Sequence, residues 1–175
     1  MLQTLNAKNT RRSILVVDDD GISRKLLNTI LRDEYDVIEA CDGKEALELL
    51  QNMHEDISAV MLDIFMPQMN GYELLERMRS DEQLSQTPVI VITGDIDKDT
   101  EIKALSLGAN DVVTKPYNRD IIKHRLWNTI NFRETAALVN AVRTDALTGL
   151  LSRIAFFEKV SQMVSEHEAG YYVIG

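Results

Sequence analysis

Five short runs of aliphatic and β-branched residues recur along the chain: Ser13 to Val17, Asp36 to Ala40, Ala59 to Asp63, Val89 to Thr93 and Asp111 to Thr114. Longer stretches of helical period separate them. Strands that are almost wholly apolar need cover on both faces, so the alternation predicts a doubly wound α/β domain around a five-stranded parallel sheet. Helices are expected over 21–33, 44–54, 71–80 and 99–107, with Leu26/Leu27 and Ile30/Leu31 marking the buried face of the first. Gly43, Gly71 and Gly108 fall at helix edges, and Pro88 stands at the start of the fourth strand. The domain spans residues 12–130, after a polar leader of residues 1–11.

From Asn118 the helical pattern continues without a clear break to about Ala141, with Ile122, Leu126 and Ile130, and later Leu138 and Val142, at helical spacing. This is either a last helix packed on the sheet or a helix whose apolar stripe, over 118–142, pairs with a second copy. Charge changes sign nearby. Residues 1–117 hold 12 Lys/Arg and 22 Asp/Glu, whereas 118–175 hold 7 and 6. A boundary near residue 130 follows, with a helical linker over 131–144.

Composition excludes several functions. A formal net charge of −9 argues against a surface that neutralises phosphates, so no direct nucleic-acid partner is expected. The longest apolar runs, such as Val89 to Ile92, fall far short of the ~20 residues a spanning helix needs. One cysteine, Cys41, cannot form an internal disulfide, and no secretory leader opens the chain, so the expected compartment is the cytoplasm. Cys41 and Trp127 are expected to pack, and His54, His124 and His167 are too scattered for a histidine metal site.

In an open parallel sheet, ligands bind beyond the carboxyl ends of the strands, where strand order reverses. Reading those ends gives Asp18 and Asp19 after the first strand, Asp63 closing the third, Thr93 closing the fourth and Lys115 after the fifth. Singly, each has an ordinary explanation as a cap, a strand former or a solvated charge. Together at one edge they form a site. Converging carboxylates repel unless a cation joins them, and all-oxygen ligation with room for water suits Mg²⁺. A carboxylate is also a nucleophile toward a phosphoryl group. Asp63, central in the cluster, is best placed for that, with Lys115 and Thr93 able to hold the phosphoryl oxygens.

Four motifs, in order and at the proper spacing, resemble the receiver domain of two-component response regulators. They are Ile14-Leu15-Val16-Val17-Asp18-Asp19-Asp20, the run Met61-Leu62-Asp63-Ile64-Phe65-Met66-Pro67-Gln68-Met69-Asn70-Gly71, then Val91-Ile92-Thr93-Gly94, and Gly108-Ala109-Asn110-Asp111 leading to Thr114-Lys115-Pro116. The resemblance implies a flavodoxin-like sheet of order 2-1-3-4-5 and a phosphoacceptor at Asp63. It also implies Mg²⁺ held by Asp18, Asp19, Asp63 and the backbone carbonyl of Phe65, and Lys115 and Thr93 contacting the phosphoryl group. The implied partner is a sensor histidine kinase or a phosphotransfer protein. Val112 stands where the family often has an aromatic residue, and Tyr117 stands where Phe is commoner.

Farther on, Asp145 to Phe156 resembles the opening of a GGDEF domain, the module that makes cyclic di-GMP, and Tyr171 to Ile174 resembles its first strand. Residues 145–175 are therefore expected to be the start of a diguanylate cyclase output domain, too short to bury a core of its own. The alternative is a stand-alone receiver acting through protein–protein contacts. A more distant one is an aspartyl-phosphate phosphatase, but such enzymes carry the nucleophile on the first strand with an acid two residues on, where this chain has Phe65.

Overall fold

The computed structural model describes residues 11–94 and 98–143, with the backbone alone over 137–143. Strands β1 (Ser13–Val17), β2 (Asp36–Ala40), β3 (Ile57–Asp63), β4 (Val89–Thr93) and β5 (Asp111–Thr114) alternate with α1 (Gly21–Leu31), α2 (Gly43–Met53), α3 (Gly71–Ser80), α4 (Lys98–Ser106) and α5 (Arg119–Arg143). All pairings are parallel and the order is β2-β1-β3-β4-β5, the expected doubly wound, flavodoxin-like sheet. The third strand starts two residues earlier than its apolar run suggests. Two compact units divide the chain at Ile130, and the sheet belongs wholly to the first.

The two-residue period of the strands separates two cores. Leu15, Val17, Val60, Leu62, Val89 and Val91 face α2 and α3 through Ala46, Leu50, Leu74, Leu75 and Met78, with Ala104 of α4 on the same side. Ile14, Val16, Ala59, Met61, Ile90 and Ile92 face α1 and α5 through Leu27, Ile30, Leu31, Ile122, Leu126 and Ile130. Each fully buried Leu or Ile contributes about 1.5–3 kcal/mol.

Three expectations need correction. Leu26 does not share the buried face of α1: it is about half exposed, because a step of one residue rotates the side chain by ~100° from Leu27. Trp127 is 55% exposed and Cys41 is also exposed, so neither packs as expected. Trp127 follows Leu126, whose side chain takes the place against the sheet, and Cys41 lies just past β2, at the edge of the sheet. The apolar stripe Ile122, Leu126 and Ile130 is buried on the sheet, so this part of it is not a surface for a second copy. The residues resembling a GGDEF opening lie outside the described residues, as does most of the leader.

Arg79, at the end of α3, donates to the carbonyl of Gly108 through Nε (3.0 Å) and Nη2 (2.8 Å), and through Nη1 to the carbonyls of Ser85 and Thr87, both at 3.0 Å. Burial pushes its pKa down from the ordinary guanidinium value, yet it remains a cation. Gly108 has φ +95°, and a Cβ there would lie 2.8 Å from Arg79 Nε. Arg79 thus ties the α3–β4 and α4–β5 connections together. Arg79→Ala is expected to cost about 2–4 kcal/mol, since three carbonyls lose a charged donor; a urea titration followed by circular dichroism measures it.

Candidate functional site

The order of strands reverses between β1 and β3, which leaves a crevice at their carboxyl ends. Register decides what meets there. Val17 lies opposite Leu62, Asp63 opposite Ile92 and Thr93 opposite Thr114, so Asp18, Asp63, Thr93 and Lys115 fall on neighbouring strands at nearly the same height. The Lys115 amide donates to the Thr93 carbonyl at 2.8 Å, fixing the last of these. The Lys115–Pro116 peptide is cis.

Asp18 and Asp63 are buried, and one carboxylate oxygen each from Asp18, Asp19 and Asp63 lies within 4.8 Å of the others. Lys115 Nζ reaches into this trio, 2.8 Å from Asp18 Oδ2 and 3.4 Å from Asp63 Oδ2. Asp18 Oδ1 accepts from the Asp20 amide at 2.9 Å, and Asp63 Oδ1 from the Ile64 amide at 2.9 Å. Asp19 is exposed, and the ring of Phe65, two residues past Asp63, projects into solvent.

Burial raises the Asp63 carboxyl above the ordinary aspartate range; the Lys115 charge opposes this and the Asp18 charge reinforces it. For Lys115, burial disfavours the ammonium, but the hydrogen bond to Asp18 and the charges of Asp63 and Asp18 outweigh it, so its pKa rises. The site therefore holds a firmly protonated lysine and an aspartate whose negative charge is under-compensated. That is what a hard divalent cation relieves, and three carboxylates with all-oxygen donors fit Mg²⁺. Lys115 places one positive charge beside Asp63.

Neighbouring residues hold these groups in place. Asp20, and neither Asp18 nor Asp19, caps α1, accepting from the amides of Ile22 and Ser23 at 3.1 Å each; these hydrogen bonds lower its own pKa. That frees the two preceding carboxylates for the crevice. Gly71 opens α3 against the backbone of β3: its amide donates to the Ile64 carbonyl at 2.9 Å, and a Cβ there would lie 2.3 Å from the Asp63 carbonyl oxygen. The same role escapes sequence reading, because a glycine at a helix edge signals a cap before it signals a close approach. Tyr117 packs partly buried on the α1/α5 core.

A doubly wound parallel sheet with a carboxylate trio and a lysine at its switch point places the chain among the flavodoxin-like α/β proteins. Residues 14–126 match the response regulator receiver domain, and this chain belongs to that family. It is 36% identical over 119 residues to a chemotaxis protein CheY homolog of Campylobacter jejuni, covering 67% of this chain and 91% of that one. It is 34% identical to the probable transcriptional regulator ycf27 of Porphyridium aerugineum, covering 74% of this chain. The solved structure of a probable two-component system response regulator/GGDEF domain protein superposes with a TM-score of 0.66 at 29% identity, covering 72% of this chain and 52% of that one. The chain spans about half the length of the ycf27 relative, at 52%, and 9% of a hybrid signal transduction histidine kinase of Dictyostelium discoideum. Family membership removes the ground for the phosphatase alternative. Among the described residues, no helix is long and apolar enough to cross a membrane.

Proposed function

We propose that Asp63 is the phosphoacceptor of a two-component response regulator, taking its phosphoryl group from a sensor histidine kinase or a phosphotransfer protein in the cytoplasm. The observation that carries this reading is the carboxylate trio with Lys115 bridging Asp18 and Asp63. An Asp63 carboxylate oxygen attacks phosphorus, the new O–P bond forming as the bond to the donor imidazole nitrogen breaks; the imidazole keeps the electron pair and takes a proton. Lys115 holds the anionic oxygens of the transferring group, and Thr93, one residue beyond the position opposite Asp63, offers its hydroxyl to them. Mg²⁺, held by Asp18, Asp19, Asp63 and the Phe65 carbonyl, would supply the remaining charge neutralisation. Acetyl phosphate tests this: the chain should acquire one acid-stable, hydroxylamine-labile phosphoryl group with Mg²⁺ and none with EDTA. Equal labelling in both would overturn it.

The signal then passes along α5 to a C-terminal output. A diguanylate cyclase is the output we propose, supported by the resemblance of residues 145–156 to a GGDEF opening and by the likeness to a response regulator/GGDEF protein. Cyclase chemistry joins two GTP molecules, so pairing of two copies through the 118–142 helix is part of the proposal. A receiver acting alone is the second reading, favoured by the 91% coverage of the CheY homolog. No direct contact with nucleic acid or membrane enters either reading.

A further inference from the structure

Arg24 belongs to none of the sequence motifs, yet its guanidinium braces the acidic loop after β1. From the first turn of α1 its Nη1 donates to the backbone carbonyls of Asp18 at 2.7 Å and Asp19 at 3.1 Å, the two residues whose carboxylates enter the trio. Its Nε lies 3.4 Å from Glu39 Oε2 on β2, and the other Glu39 oxygen accepts from Asn28 of α1 at 2.8 Å. The loop after β1 is thus held from outside by a cation that never touches the carboxylates themselves.

A positive charge here has two opposed effects. Clamping two successive carbonyls fixes where the Asp18 and Asp19 side chains start, which favours a cation bound between them and Asp63. The same charge repels that cation through space. Glu39 pairs with Arg24, so the clamp remains while the carboxylate offsets part of the repulsion.

We propose that Arg24, held by Glu39, is a positioning residue that sets divalent-cation affinity at the carboxylate trio. This rests on the reading of the trio as a Mg²⁺ site. Outer-shell groups of this kind are worth about 10–100-fold in metal affinity. Arg24→Ala should therefore weaken Mg²⁺ binding about tenfold. Arg24→Lys, with one ammonium in place of a fork, should recover part of this. Glu39→Gln, which leaves the clamp but bares its charge, should weaken binding by about threefold at low salt and less at high salt. In the Arg24→Ala background Glu39→Gln should keep its salt-dependent through-space effect, since the lost negative charge acts on the cation directly, and lose only the part that works by holding Arg24 in place.

The test is calorimetric titration of the full 175-residue chain with MgCl₂, together with acetyl phosphate labelling rates across Mg²⁺ concentrations. The expected result is a raised apparent Mg²⁺ constant with a maximal labelling rate within about twofold of the unaltered protein once Mg²⁺ saturates. A general structural defect would depress the maximal rate as well and overturn the proposal. Unchanged affinity in Arg24→Ala would also overturn it, and if that variant fails to fold, Arg24→Lys and Glu39→Gln carry the same comparison. Absence of Mg²⁺ binding by the unaltered chain would instead remove the underlying reading of the trio, a distinguishable outcome.

Discussion

Asp63→Asn is expected to lose at least about 10³-fold in phosphoryl labelling by acetyl phosphate, because an amide is no nucleophile at phosphorus and removal of a nucleophile is among the largest single losses an active site sustains. Label retained on the variant would place the acceptor elsewhere. The same substitution should make the metal-free protein more stable at neutral pH. Asp63 has a folded pKa above its unfolded value, so the folded state binds the extra proton. Its charge therefore costs nothing below the unfolded pKa, and the penalty grows as pH rises through the folded one. Replacing a crowded buried charge by a neutral isostere recovers about 1–2 kcal/mol. The melting temperature of Asp63→Asn should accordingly exceed that of the unaltered protein at pH 7 by a few degrees, with the gap closing as pH falls. Mg²⁺ should raise the melting temperature of the unaltered chain far more than that of the variant.

Leu126→Lys is expected to cost about 4 kcal/mol or more and to leave the domain largely unfolded, since Leu126 is fully buried between α5 and the sheet. A urea midpoint near that of the unaltered chain would contradict this placement. Trp127→Lys, one position along the same helix, should cost no more than about 1 kcal/mol, because that indole is more than half exposed. The contrast decides how self-association can be tested. The proposed pairing through α5 would draw on exposed side chains such as Ile121, Trp127 and Phe132, the last 77% exposed, and not on the buried Ile122, Leu126 and Ile130 stripe. Sedimentation of Trp127→Lys and Phe132→Lys, with and without a phosphoryl mimic at Asp63, is therefore the informative comparison.

Strand and helix segments were legible in the sequence to within a residue or two, because apolar runs and turn residues act locally, and Asp18, Asp19, Asp63, Thr93 and Lys115 could be placed at strand ends. The sequence could not say which of three successive aspartates caps α1. That depends on where the chain turns, and the structure gives the cap to Asp20. Nor could the apolar period of α5 distinguish a stripe facing the sheet from one facing another copy, since both bury the same side chains; only packing against β-strand residues such as Met61 and Ile92 decided it. Arg79 and Arg24 were invisible for a related reason. The groups they clamp are backbone carbonyls, which every residue carries, so no residue type marks them in advance. Tertiary structure alone brought the carboxylates within a cation's reach, because that distance depends on parallel register between strands some 45 residues apart and on a glycine, Gly71, that lets α3 approach the backbone of Asp63.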